Sequence, residues 1–188
     1  MDIEYEATFT KVDKDEVRER LKKAGAKLIR PEFLQKRVPF TLPAGQKIKG
    51  AFLRVRDEGD RVTLSLKIMG EINKIEDQKE ICLIVNDFET ARSFLKELGC
   101  KEKSYQETKR EIWQLDGVEI CLDEWPFLEP LVEIEGKSEE EVRKVTTKLG
   151  FDWEQAFFGN AGTLIAQKYG LTELEVNKIG RASCRERV

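Results

Sequence analysis

Apolar and polar residues alternate with a period of two in one stretch of this chain after another, and the first stretch sets the pattern. Successive side chains of a β-strand point to opposite faces. In the opening stretch Glu4, Glu6 and Thr8 therefore share one face, and Tyr5, Ala7 and Phe9 share the other. Over Arg61–Met69, Arg61, Thr63, Ser65 and Lys67 oppose Val62, Leu64, Leu66 and Ile68. Over Val118–Asp123, Glu119, Cys121 and Asp123 oppose Val118, Ile120 and Leu122. Glu133-Ile134-Glu135 repeats the opening pattern near the other end, and Arg54-Val55-Arg56 carries the opposite charge at the same spacing. Further strands are predicted over Phe33–Phe40, Ala51–Asp57, 79–85, Gln106–Leu115 and 131–135. Turns at Asp57–Asp60 and at Asp116-Gly117 join neighbours into hairpins.

Elsewhere the period changes to that of a helix. Val17, Leu21 and Ala24 form an apolar stripe behind an Asp13/Glu16 capping box and ahead of Gly25. Helices of the same design are predicted over Asp87–Leu98, before Gly99, and from a Ser138/Glu141 box to Leu149, before Gly150. Trp153–Tyr169 reads as a broken or short helical segment. Eight largely hairpin-linked strands and at least three helices predict an α+β fold with an antiparallel sheet. Nearly every strand has one apolar and one charged face. An open sheet would leave the charged face in water as ion pairs worth at most about 1 kcal/mol each. A closed sheet would enclose that face as a wet lumen, with the helices covering the apolar outside.

Composition narrows the choice. Of 188 residues 37% are charged, and 33 basic residues nearly balance 36 acidic ones, so nothing points to nucleic acid or an anionic membrane. No apolar run approaches the roughly 20 residues of a membrane span, and the N-terminus lacks the apolar core of a signal peptide, which predicts a cytoplasmic protein. There is no histidine, which excludes Ser-His-Asp and Cys-His nucleophiles and a histidine-ligated zinc. Cys82, Cys100, Cys121 and Cys184 lie too far apart for a CxxC pair, so any metal would be a hard cation such as Mg²⁺ or Mn²⁺ on carboxylates. Residues 178–188 read like a translated sequencing adapter, which leaves 1–177 as a single domain. Trp125–Pro130 reads as a proline-stiffened connection with its aromatics packed on the body, or as a lid at a tunnel mouth.

A lumen with acids from both chain ends on one wall and bases from the middle strands on another suits a metal–polyphosphate ligand. Taken singly, Lys67, Glu80 or Glu119 would read as a surface ion pair. Taken in order, several segments together resemble the CYTH superfamily, the triphosphate tunnel metalloenzymes. They are Glu4-Tyr-Glu6, Phe52-Leu-Arg-Val-Arg56, Leu64-Ser-Leu-Lys67, Lys109-Arg110, Leu122-Asp123 and Val132-Glu-Ile-Glu135. The resemblance covers roughly residues 1 to 170. It implies a closed eight-stranded antiparallel tunnel that binds a triphosphate or nucleotide with Mg²⁺ or Mn²⁺. The activity it implies is triphosphate hydrolysis or class IV adenylyl cyclase chemistry, with a homodimer allowed.

By that resemblance Glu4, Glu6, Asp123, Glu133 and Glu135 hold metal. Arg54, Arg56, Lys67, Lys109 and Arg110 bind phosphate, with Glu80 beside them, and Arg56 and Lys67 polarise the reacting group. The chain departs from the family pattern at Thr8, where a lysine is expected, at Cys82, where an acid is usual, and at Thr108. Thr8 adds no charge, which favours binding over fast hydrolysis and keeps a non-catalytic polyphosphate-binding module as the alternative.

Overall fold

The computed structural model describes residues 1–70, 74–177 and 181–184. In chain order the strands are β1 (Asp2–Ile3), β2 (Tyr5–Thr10), β3 (Lys27–Phe40), β4 (Ala51–Asp57), β5 (Val62–Met69), β6 (Gln78–Val85), β7 (Tyr105–Leu115), β8 (Val118–Glu124), β9 (Leu131–Gly136) and β10 (Arg181–Ser183). The helices are α1 (Lys14–Ala24), α2 (Phe88–Glu97), α3 (Glu139–Lys148), α4 (Ala161–Tyr169) and α5 (Glu173–Val176).

The sheet runs β1-β6-β5-β4-β3-β7-β8-β9-β2, antiparallel at every step. Its two terminal strands are separated in sequence by Glu4 alone, so the first ten residues bridge both edges and roll the sheet into a tunnel. The expected closure is present, with nine strands on the path where eight were expected. The difference is the break at Glu4: β1 pairs with β6 through Asp2↔Glu80, and β2 pairs with β9 through Glu6↔Glu135. β10, from the segment read as an adapter tail, lies parallel to the start of β7, outside that path.

The alternation predicted from sequence decides what faces out. Ala7, Trp113, Ile120, Val132 and Ile134 form one apolar outer wall, covered by Val17 and Leu21 of α1 and by Val142, Val145 and Leu149 of α3. Val38, Phe40 and Val55 form another, covered by Phe88, Ala91 and Leu95 of α2. Burial of each such side chain contributes roughly 1.5–3 kcal/mol, which ties the helices to the outside. The caps form as expected: Asp13 accepts from the N–H groups of Asp15 and Glu16, Asp87 from Thr90, and Ser138 from Glu141. The Glu141 carboxylate reaches back to the Lys137 N–H, one residue beyond the position a capping box would use.

Two elements differ from expectation. β3 begins at Lys27 rather than Phe33, with irregular register between Leu28 and Phe33. Pro31 lies in that stretch and cannot donate to a ladder, which masks the strand in sequence. Trp153–Tyr169 resolves into a 3₁₀ turn at Trp153–Gln155 and then α4, capped by Asn160. In the Trp125–Pro130 connection one of the two aromatics packs on the body: Trp125 and Leu128 are buried against Leu131, Ile165 of α4 and Val176 of α5, whereas Phe127 is exposed. Among the described residues no helix is long and apolar enough to cross a membrane.

Candidate functional site

The charged faces of the strands line a cavity of about 340 Å³. Acids gather on one side of it. Glu4 comes from the break between β1 and β2, Glu6 from β2, Glu133 and Glu135 from β9, and Glu80 from β6. On the other side stand Arg37 of β3, Arg54 and Arg56 of β4 and Arg110 of β7, each 7–9% exposed or, for Arg56, half-buried. Lys67 of β5 stands between the two groups, with Nζ 2.8 Å from Glu4 Oε2 and 3.7 Å from Glu80 Oε2. Arg54 Nη2 donates to Glu80 Oε1 at 3.0 Å, and Arg56 Nη2 lies 2.8 Å from Glu58 Oε1. Arg110 donates from Nε to Asp123 Oδ1 at 2.8 Å and also binds Asp123 Oδ2 and Glu133.

Arg37 has no carboxylate partner among the described residues, and the charges of neighbouring arginines bear on both it and Arg56. Burial, then the charges of Arg54, Arg110 and Arg56, push the Arg37 guanidinium well below its usual range. Burial, then Arg54 and Arg110, bring Arg56 down to about 10. The Nε groups of Arg37, Arg54 and Arg56 are buried and have no hydrogen-bond acceptor among the described residues. Leaving such a donor unpaired costs about 1–3 kcal/mol. Arg37 instead lays its guanidinium 4.1 Å from the centre of the Trp125 ring and donates to Gln35 Oε1 at 3.2 Å.

On the acidic side Glu6 and Glu135 have no ion pair among the described residues, and Glu4 shares Lys67 with Glu80. Burial, then the Glu80 carboxylate, raises Glu4 to about 7. Burial, then the charge of Glu133, raises Glu6 well above the carboxylate range, and burial raises Glu135. Glu80 moves the other way: although burial opposes it, its contacts with Glu4, Lys67 and Arg54 hold it at about 2. These are oxygen donors whose charge is only partly compensated, a chemistry that fits a hard divalent cation. Among the described residues no three of them already converge as a metal cage, since Glu4 and Glu80 are engaged by Lys67 and Arg54, and Glu133 by Arg110. A cation would therefore be held after these pairs exchange an ammonium or guanidinium for it.

The sequence-derived residues fall into three groups. Glu4, Glu6, Arg54, Arg56, Lys67, Glu80, Arg110, Glu133 and Glu135 all line the cavity. Asp123 is fully buried behind Arg110, with both carboxylate oxygens occupied by it. Lys109 is on the opposite face of β7, 3.6 Å from both Glu32 and Glu124, because a period of two sends residues 109 and 110 to opposite sides. Cys82 is exposed, Cys121 is buried beside Glu119, and Thr108 is buried against Gln35. Arg37 and Glu58 line the cavity as well and were not singled out from the sequence, and Trp125, from the connection read as packed or as a lid, lines it too. For Arg37 the signal was available, since Gln35, Arg37 and Pro39 alternate with Val38 and Phe40 on β3.

The CYTH domain family model matches residues 2–169. A protein of Methanocaldococcus jannaschii, provisionally named an adenylate cyclase, is 32% identical over 135 residues, covering 71% of this chain and 76% of that protein. A solved structure of a Pyrococcus horikoshii protein superposes with a TM-score of 0.68 at 25% identity, covering 81% of this chain and 93% of that one. A structure from Hippeastrum, of a protein described as an adenylyl cyclase with dominant triphosphatase activity, superposes with a TM-score of 0.61 at 14% identity. The coverage there is 90% of this chain and 97% of that one, and at that identity the likeness is one of fold.

Proposed function

The chain belongs to the CYTH domain family, and from that premise we propose that its tunnel binds a triphosphate with Mg²⁺ or Mn²⁺ and hydrolyses the terminal phosphoanhydride. The observation that carries this reading is the set of four arginines, three of them with a buried Nε–H orphaned among the described residues, opposite carboxylates pushed toward protonation. A triphosphate supplies the missing acceptors to one wall, and a divalent cation supplies the missing charge to the other.

In this reading Arg37, Arg54, Arg56 and Arg110 hold and neutralise the phosphate chain. Lys67, at the junction of the walls, polarises the phosphoryl group under attack together with Arg56. Glu4, Glu6, Glu133 and Glu135 hold the cation, which when bound supplies Lewis-acid polarisation and a more acidic water. Asp123 keeps Arg110 aimed into the tunnel. Lys109 has no part in the site.

A second reading, nucleotide cyclisation, is favoured by the name of the Methanocaldococcus relative. In that case the ribose 3′-hydroxyl of ATP takes the place of water and pyrophosphate leaves. Incubation with tripolyphosphate, ATP and thiamine triphosphate, each with Mg²⁺ or Mn²⁺, separates the two. Orthophosphate release is expected from the first reading, and cyclic AMP with pyrophosphate from the second. Saturable binding of all three with no product would overturn both and leave a polyphosphate-binding module.

A further inference from the structure

The tunnel leaves one strand edge open. On β6 the edge facing the seam is used only at its start, where Glu80 and Lys79 pair with Asp2 and Ile3, and the Gln78 carbonyl accepts from the Glu4 N–H at 2.9 Å. Past Glu80, no strand pairs with that edge among the described residues. On the other side of the seam β2 is covered, since the backbone of Phe157 exchanges both hydrogen bonds with Thr8. The open edge reads Ile81-Cys82-Leu83-Ile84-Val85, with Ile81, Leu83 and Ile84 44%, 55% and 78% exposed. Native sheets protect a free edge with a charge, a proline, a bulge or a covering segment. This one has neither charge nor proline, and its register against β5 is unbroken.

We propose that this edge is a dimer interface, in which β6 pairs antiparallel with β6 of a second copy about a two-fold axis at Leu83. The sequence is complementary to itself in that register. Leu83 meets Leu83, Ile81 meets Val85 of the second copy, and Cys82 meets Ile84, so every directly opposed pair on both faces of the strand is apolar. The seam is confined to these five residues, because Glu80 is already paired with Asp2 of β1 and β6 ends at Val85. A two-fold interface satisfies all of these pairings at once, since the Leu83 pair lies on the axis and each of the others is made twice. A foreign strand would need five apolar residues in the same register to do the same. The pairing would also brace the strand that carries Glu80 into the tunnel.

Sedimentation velocity and cysteine cross-linking test this. Cys82 is exposed, whereas Cys100, Cys121 and Cys184 are buried. In the proposed register the two Cys82 residues are diagonal neighbours about 7–8 Å apart, within reach of a short bismaleimide. The expected result is a dimer that the reagent locks covalently, with the cross-link lost in Cys82→Ser. Leu83→Lys is expected to give a monomer with unchanged circular dichroism and unchanged tripolyphosphate binding. Ile84→Lys, at a more exposed position, is expected to do the same and carries the test if Leu83→Lys does not fold. A protein that is monomeric at every concentration, a dimer that survives both lysine substitutions, or a dimer without the Cys82 cross-link would each overturn the proposal.

Discussion

Lys67 Nζ lies 2.8 Å from Glu4 Oε2, so a base in the middle of the chain meets an acid at its beginning. The contact spans the seam where the sheet closes, and it forms because Glu4 sits in the one-residue gap between β1 and β2. Lys67 also lies 3.7 Å from Glu80, so two carboxylates share one ammonium. Replacing it with methionine keeps the bulk and removes the charge. Lys67→Met is expected to weaken tripolyphosphate binding by roughly ten- to a hundredfold, the loss of one charge-assisted hydrogen bond of about 1.5–3 kcal/mol. Isothermal titration calorimetry checks this, and an unchanged Kd would remove Lys67 from the phosphate site.

Arg37 offers the opposite test. It is buried among three other arginines, no ion pair joins it to a carboxylate among the described residues, and its cation rests on Trp125. An uncompensated buried charge destabilises the empty protein and attracts an anionic ligand. Arg37→Met is therefore expected to raise the Tm of the ligand-free protein while shrinking the Tm shift produced by tripolyphosphate. A thermal-shift titration reads both quantities, and a lowered ligand-free Tm would mean that Arg37 is structural.

Asp123 separates a structural acid from a metal ligand. It is fully buried and both of its oxygens are taken by Arg110. Asp123→Asn leaves a buried guanidinium with half its partner, and breaking such a pair costs about 3–5 kcal/mol. The loss is expected in urea denaturation with EDTA present. If Asp123 acted only as a metal ligand, stability in EDTA would be unchanged.

The period of two, carried through each strand, was enough to find nine lumen residues, but a charged face this dense is served by water or by an enclosed ligand, and closure came from the family resemblance. What escaped was set by tertiary context. The split at Glu4 depends on two different strands claiming one short segment, and no local pattern encodes that. Asp123 has the same period as Glu119, yet packing against Arg110 removes it from the cavity. Trp125 lies just past β8, and only the docking of α4 and α5 turns it toward Arg37. Lys109 was misplaced for a different reason: the resemblance treated it as a unit with Arg110, although alternation already sent the two apart.

Thr8 lies on the face of β2 that carries Glu4 and Glu6, directly opposite Glu133 on β9, and is 3% exposed. A lysine there would bring a cation to Glu133 and a proton donor to the wall that holds the cation. Thr8→Lys is expected to raise kcat for orthophosphate release by roughly tenfold or more, within the span of general acid–base catalysis. Steady-state kinetics with tripolyphosphate decides it: a kcat that stays level or falls would show that the threonine is not what limits the rate.

The acidic wall also predicts how stability follows pH. Glu4 has its folded pKa raised from 4.5 to about 7, and Glu6 and Glu135 are raised as well. Between pH 4.5 and 7 the folded protein then binds more protons at Glu4 than the unfolded chain does, so stability falls as pH rises. The contribution of Glu4 is fully present below about pH 4.5 and gone above about 7. Glu80 acts in the opposite sense, with a folded pKa of about 2, but its contribution is lost only as pH falls below 4.5. The two windows do not overlap, so the slope above pH 4.5 belongs to the raised acids. Urea denaturation in EDTA is expected to show a more stable protein at pH 5 than at pH 8, with the difference reduced in Glu4→Gln. Mg²⁺ competes with those protons, so saturating Mg²⁺ is expected to flatten the dependence by stabilising the protein most at pH 8. A stability that rises steadily from pH 5 to 8 in EDTA would mean that the acidic wall is already neutralised by Lys67 and Arg110, leaving no electrostatic vacancy for a cation to fill.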